Sequence, residues 1–352
     1  MLRALGIRNN SKPDATTAGG DDLCTSGIHP QFLQVLLAQP QTTMDTLEAP
    51  RTLRLPKSVP RLPISVIVPT RNESRNLPRC LESLGEAGEV FVIDSQSTDE
   101  TVEVARAYGA NVVQFYYQGG WPKKRQWAME TLSFGCDWLL LLDADEALTP
   151  ALMDEIEKAI QNRGIDGYYL SLQMCFLGRR LRHSGANFYK LPLFRRGKAS
   201  FECRLQQQDS SMCDMEVHEH VVVKGKTAKL KNPLLHHNVD SLSRYIRKHD
   251  EYSNWDAHVW QHQTEAQPDH KGALGPRLFG TQAERRRWLK KYFFSFPGSS
   301  VLFFIYKYIF RLGFLDGVPG LIYCGLQGVQ FFHIKAKIYE LRIQGNRRAC
   351  AE

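Results

Sequence analysis

Ile64-Ser65-Val66-Ile67-Val68-Pro69-Thr70-Arg71-Asn72-Glu73 decides how this chain is read. Its first five residues are mostly β-branched and apolar, the pattern of a strand buried on both faces. Pro69 ends that run and a polar cluster follows. Three more strands are expected downstream. Val90-Phe91-Val92-Ile93 stops at Asp94, residues 111–115 form the third, and Trp138-Leu139-Leu140-Leu141-Leu142 stops at Asp143. Helix-like stretches separate them, over 76–84, 124–132 and 149–160, the last with Pro150 in its first turn. Another runs through Val102, Ala105 and Ala107 to a stop near Gly109, with Ser97 or Thr98 as its cap. Alternation of this kind implies right-handed βαβ units. The expected class is α/β, a mostly parallel sheet with helices on both faces.

From Gly167 the texture becomes strand-rich and less regular, with strands expected over 168–173, 190–194 and 217–223. A helix from Ser241 to about Trp260 follows. The organisation expected is a poorly ordered extension over 1–60 and a catalytic domain over 61–260. A polar linker over 261–283 and a basic, aromatic helical region over 284–352 complete it.

The 352 residues are 43% hydrophobic and 23% charged, which excludes fibrous and fully disordered classes. The net charge of +8 is carried by one segment. From Glu284 onward twelve Lys/Arg stand against four Asp/Glu, and the rest of the chain is balanced. A polyanionic partner is therefore expected there. Basic residues alternate with Trp, Tyr and Phe, and the apolar runs 301–310 and 317–332 carry Lys307, Gln327 and Gln330. That suits amphipathic helices lying on an anionic membrane surface, not spanning it, and favours lipid over nucleic acid. The eight cysteines are scattered without metal spacing, and the first residues lack the apolar core of a signal peptide. A cytoplasmic protein, peripheral on the cytoplasmic face of a membrane, is expected.

Ligands of open α/β sheets sit at the carboxyl ends of strands. Three polar clusters fall there: Thr70 to Glu73, Asp94 to Asp99, and Asp143-Ala144-Asp145. Neither a dinucleotide fingerprint nor a P-loop occurs. Read as extended, Asp143 and Asp145 point one way and can share a divalent cation, which in turn can hold a diphosphate.

Taken in order, Val66 to Glu73, Ile93 to Asp99 and Asp143 to Asp145 resemble glycosyltransferase family 2. Gly120-Trp121-Pro122-Lys123-Lys124-Arg125-Gln126 and Val217-His218-Glu219 resemble its branch of lipopolysaccharide-core β-1,4-glucosyltransferases. The resemblance implies the GT-A fold, a Rossmann-like nucleotide-sugar-binding sheet. It implies an inverting hexosyltransferase using a nucleotide-diphosphate sugar, first of all a UDP-sugar, and Mn2+ or Mg2+. The acceptor would be a glycan or lipid-linked, lipopolysaccharide core being one candidate. Pro69, Thr70 and Glu73 would line the nucleotide pocket, and Asp94 would meet the uracil or ribose. Lys123 and Gln126 would contact the donor, Asp143 would lie near ribose and sugar, and Asp145 would ligate the metal. Glu219 would be the general base, with Glu216 and Asp214 as rivals, and His236 a second metal ligand. Where the family has an acidic pair in the second motif, this chain has Ser95. The alternatives are a sugar nucleotidyltransferase, which should carry a glycine-rich loop after the first strand, and a non-catalytic nucleotide-binding membrane scaffold.

Overall fold

The structure, a computed structural model, describes residues 61–185, 188–204, 214–216, 219–237, 241–265, 277–279, 284–285, 287–289 and 296–349. The expected N-terminal extension, most of the expected linker, and Val217 and His218 lie outside them.

The first half follows the alternation. It runs β1 (Leu62–Thr70), α1 (Leu77–Glu82), β2 (Ala87–Asp94), α2 (Thr101–Ala107), β3 (Asn111–Gln114), α3 (Lys124–Thr131) and β4 (Trp138–Leu141). These strands are parallel in the order β3-β2-β1-β4. From Ile64 to Thr70 every residue of β1 is buried, which is why that strand reads as an almost unbroken apolar run. Alternate residues feed opposite faces. Ile64, Val66 and Val68 pack with Val92, Leu140, Leu152 and Ile156. Ile67 packs with Ile93, Leu139, Phe115 and Ala128.

The second half departs from the pattern. It comprises β5 (Glu146–Ala147), α4 (Pro150–Ala159), β6 (Gly167–Phe176), β7 (Arg179–Arg180), β8 (Phe188–Arg195), β9 (Ala199–Phe201), β10 (Val221–Val223), β11 (Thr227–Lys229) and β12 (Leu234–His237). The sheet continues β4-β8-β6-β12-β5, with β8 antiparallel to both neighbours. β12 is parallel to β6 and antiparallel to β5, pairing His236 with Glu146. β7 and β11 add to β6, while β9 and β10 form a separate ribbon. Thr149 caps α4, accepting from the Leu152 N–H at 3.1 Å, with Pro150 in the first turn as expected.

Two expectations need correction. The strand expected over 217–223 is only β10. Glu219 and His220 precede it, with the His220 N–H donating to Glu202 at 2.9 Å. Ser97 and Thr98 do not cap α2, which starts after Glu100. The Ser97 N–H donates to Asp94 and the Thr98 N–H to Asn72.

After β12 come α5 (Leu242–Glu265) and α6 (Ser299–Ile305), the latter continuing as a π-helical turn over Tyr306–Phe310. A 3-10 turn at Gly313–Asp316 leads into α7 (Gly317–Ala349). One side of α7 packs along α5, through Ala257, Ile334 and Ile338 and through a cluster of Phe176, Tyr245 and Tyr323. Among the described residues no helix is long and apolar enough to cross a membrane.

Candidate active site

Strand order reverses direction at β1, whose sheet neighbours β2 and β4 lie on either side of it. The register sets Thr70 beside Asp94 and Ile67 beside Leu141, so three strand ends open on one crevice. Pro69 and Thr70 are its buried floor. Asp94 is buried, and its oxygens are committed within the protein. They accept from Thr70 Oγ1 at 3.0 Å, the Ser97 N–H at 2.9 Å and Gln114 Nε2 at 3.0 Å. Glu73 pairs with Arg244 at 2.7 Å and accepts from Asn76 Nδ2 at 2.8 Å. Burial raises its carboxyl, with Lys248, Asn76 and Arg244 pulling the other way.

Past β4 the chain does not stay extended, contrary to expectation. The Glu146 N–H donates to the Asp143 carbonyl at 2.9 Å, closing a turn, and the Asp143 N–H donates to Glu146 Oε2 at 2.9 Å. The two aspartates thereby meet different partners. Asp143 pairs with Arg125 and, at 3.6 Å, with Lys190. Asp145 Oδ1 lies 3.6 Å from His236 Nδ1, which is also 3.3 Å from Glu146 Oε1. The β12–β5 pairing is what carries His236 there. Burial alone would raise the Asp143 carboxyl, but Arg125, and after it Lys190, His236 and Lys248, hold it well below the usual carboxylate range. Burial opposes charge on His236, yet Asp145 and Glu146 raise its pKa above the ordinary imidazole value.

Among the described residues no three His, Cys, Asp or Glu side chains are arranged as a metal cage. Asp145 and His236 are two adjacent donors. That fits an ion such as Mn2+ or Mg2+, which takes one or two protein ligands and completes its shell with phosphate oxygens and water.

The start of α3 ties this turn to Glu219. Arg125 Nη1 donates to the Glu216 carbonyl at 3.3 Å, while the Glu216 carboxylate accepts the N–H groups of Arg125 and Gln126 at 3.2 and 2.8 Å. Glu216 is thus spent on capping α3. Asp214 pairs with Lys124 at 3.1 Å and accepts from Ser95. Gln126 is buried, accepting from the Phe201 N–H at 2.8 Å and donating to Glu130 at 2.6 Å, so it braces α3 against β9. Lys123 Nζ is 2.9 Å from Glu219 Oε2 in a fully buried pair, with the Trp255 ring 4.9 Å from Nζ. Burial pushes the Glu219 carboxyl up to about 7, against the pull of Lys123.

Sequence reasoning named Asp143, Asp145 and His236, which the structure brings together. It missed the cations around them. Arg125 lay inside a quoted motif. Lys190 was a lone charge in an apolar strand, and Arg244 and Lys248, one helical turn apart, lay in a helix given no role in the site.

The model of the family described as Glycosyl transferase family 2 matches residues 65–221. A Rhizobium meliloti protein named lipopolysaccharide core biosynthesis glycosyltransferase LpsC is 27% identical over 202 residues, covering 55% of this chain and 70% of that protein. A Rickettsia conorii protein, named as an uncharacterized glycosyltransferase, is 30% identical over 202 residues, covering 54% and 68%. Among solved structures, a mannosyltransferase from Pyrobaculum calidifontis in complex with GDP-Man and Mn2+ matches 82% of this chain and 92% of its own. Its 14% identity and TM-score of 0.44 make that likeness too distant to bear on function.

Proposed function

This chain is a glycosyltransferase of family 2, and from that premise we propose that it has the GT-A fold and transfers a hexose, with inversion, from a UDP-sugar to a glycan or lipid-linked acceptor. The Rhizobium meliloti relative is named for lipopolysaccharide core biosynthesis, which favours an acceptor of that class. One observation carries the reading. At the reversal point of the sheet, Asp143 and Asp145 sit in a turn lined by Arg125, Lys190 and His236, with Arg244 and Lys248 coming from α5. A nucleotide sugar presents hydroxyls, which carboxylates bind, joined to a diphosphate, which cations bind.

In this reading the base rests on the floor made by Pro69 and Thr70, which Asp94 stiffens. Glu73 and Asp143 accept from ribose and sugar hydroxyls. Arg125, Lys190 and Lys248 face the diphosphate and stabilise the charge that grows on it as the anomeric C–O bond breaks. Asp145 and His236 would hold a divalent cation, whose chemistry is to neutralise the same leaving group. Glu219 takes the proton of the acceptor hydroxyl as that oxygen bonds to the anomeric carbon from the opposite side, and a carboxyl at about 7 suits that exchange at neutral pH. Lys123 and Gln126 set Glu219 and α3 in place. Residues 61–260 perform this chemistry, while 284–352 hold the enzyme peripherally on the cytoplasmic face of an anionic membrane.

Thermal-shift screening of nucleotide sugars with and without Mn2+ tests the donor. A UDP-sugar at a hundred times its Kd in the presence of Mn2+ should stabilise the protein by about 2.7 kcal/mol, and the same concentration without Mn2+ should stabilise it less. If no nucleotide sugar moves the midpoint in either condition, the reading fails.

A further inference from the structure

Exposed apolar side chains recur along α6 and α7, at Val301, Leu302, Leu321, Val329 and Phe332, and are densest in the turn between the two helices. Within ten residues, Ile309, Phe310, Leu312, Phe314, Leu315 and Val318 are all exposed, Phe310 by 74%, Val318 by 68% and Leu315 by 53%. Soluble monomers rarely leave so much contiguous apolar surface in water. These residues occupy the turn between α6 and α7, and their chain is fixed there. Asp316 is buried and accepts four hydrogen bonds from the loop after β7, from the N–H groups of Arg182 at 2.9 Å, His183 at 3.2 Å and Ser184 at 2.8 Å, and from Ser184 Oγ at 2.7 Å. Lys307 Nζ donates to the Ser184 carbonyl at 2.7 Å. The apolar turn is therefore bolted to the basic hairpin formed by the end of β6 and β7.

That hairpin adds the charge. Its two-residue turn, Leu177-Gly178, has both residues in the left-handed region and so reverses the chain tightly. Arg179, Arg180 and Arg182 beyond it are exposed. The Arg179 guanidinium lies against Gly317, where an added Cβ would come within 3.0 Å of Nη1. Among the described residues none of these three arginines forms a salt bridge.

We propose that the turn 309–318 and the arginine hairpin 177–182 form one membrane-docking tip, the apolar turn entering the acyl boundary and the arginines binding anionic phospholipid headgroups. This rests on the peripheral-membrane reading above and narrows its point of entry to the turn, with one side of α7 packed on α5. Rigid apolar side chains collared by cations match the two layers of a bilayer surface, oil below and phosphate above. The collar distinguishes lipid from a second copy of this chain, whose same face would bring arginines against arginines.

Co-sedimentation of the full chain with phosphatidylcholine vesicles, and with vesicles also containing phosphatidylglycerol, tests this. The native protein should prefer the anionic vesicles. The double variant Phe310→Ser, Phe314→Ser should lose about tenfold in partitioning on both. Arg179→Ala with Arg180→Ala should lose about fivefold per charge, on the anionic vesicles alone. Leu315→Trp supplies a second readout on a single conservative change, with the emission of the introduced indole blue-shifting on binding and being quenched by brominated lipid. If the native protein binds but the Phe and Arg variants bind equally and the indole emission of Leu315→Trp does not move, the tip is wrong and the broader membrane reading stands. No vesicle binding by the native protein removes both. A lipid-free dimer that the Phe variants dissociate would assign the face to self-association and overturn the proposal.

Discussion

Asp143 and Glu219 are joined through the first residues of α3, yet they live in opposite surroundings. Asp143 is half-open and meets Arg125 and Lys190, with His236 and Lys248 acting from further off, so it stays charged at any physiological pH. Glu219 is sealed, has Lys123 as its cationic partner, and sits at about 7. Burial acts on both. The number of cations decides which way each goes. An acid held permanently ionised is suited to binding, and an acid near neutrality is suited to moving a proton. One fold thus supplies two carboxylates with separate tasks. The contrast also implies a motion, because Glu219 is fully buried in its pair with Lys123 and an acceptor hydroxyl has to reach it.

The sharpest break in that contrast is predicted on the binding side. Asp145→Ala should cut Mn2+-dependent donor turnover by about 10³-fold with the thermal midpoint kept. Turnover unchanged in a steady-state assay would remove the metal assignment. On the chemical side, Glu219→Gln should lower transfer by about 10²- to 10³-fold while leaving UDP-sugar binding, read by calorimetry, within about twofold. The native enzyme should show the matching pH dependence. A base must be deprotonated to act, so kcat/KM should rise about tenfold per pH unit below about 7 and level off above it. In Glu219→Gln that limb should vanish. A limb that survives the substitution assigns the base to another group.

The binding side was also the more legible one. β1 announces itself because both its faces are buried, so Ile64 to Val68 had to be apolar on either side. α4 does so through Pro150, whose role in the first turn is local. Asp143 and Asp145 were found by spacing, but their joint orientation was misread, since the turn closed by Glu146 is a hydrogen bond between near neighbours that no strand pattern reveals. The place of His236 depends on β8 and β6 entering the sheet between β4 and β12, a set of pairings between segments far apart in sequence. Glu219 looked like a strand residue because Val221 to Val223 continue its alternation. Its buried partner, Lys123, is contributed from elsewhere in the chain.

A smaller effect would sharpen the contrast most finely. Lys123 opposes the rise of the Glu219 pKa, so removing its charge should let burial act unopposed. Lys123→Met should therefore move the pH limb upward by about one unit, with a lower rate at neutral pH that recovers as the pH is raised. Lys190→Met gives the control. It takes one cation from Asp143, which keeps Arg125, so Asp143 stays ionised. The expected result is a donor KM raised about fivefold, the worth of one partly exposed charge contact, with the limb where it was. Movement of the limb in both variants would mean that the two acids titrate as one system, and the division of labour between them would not hold.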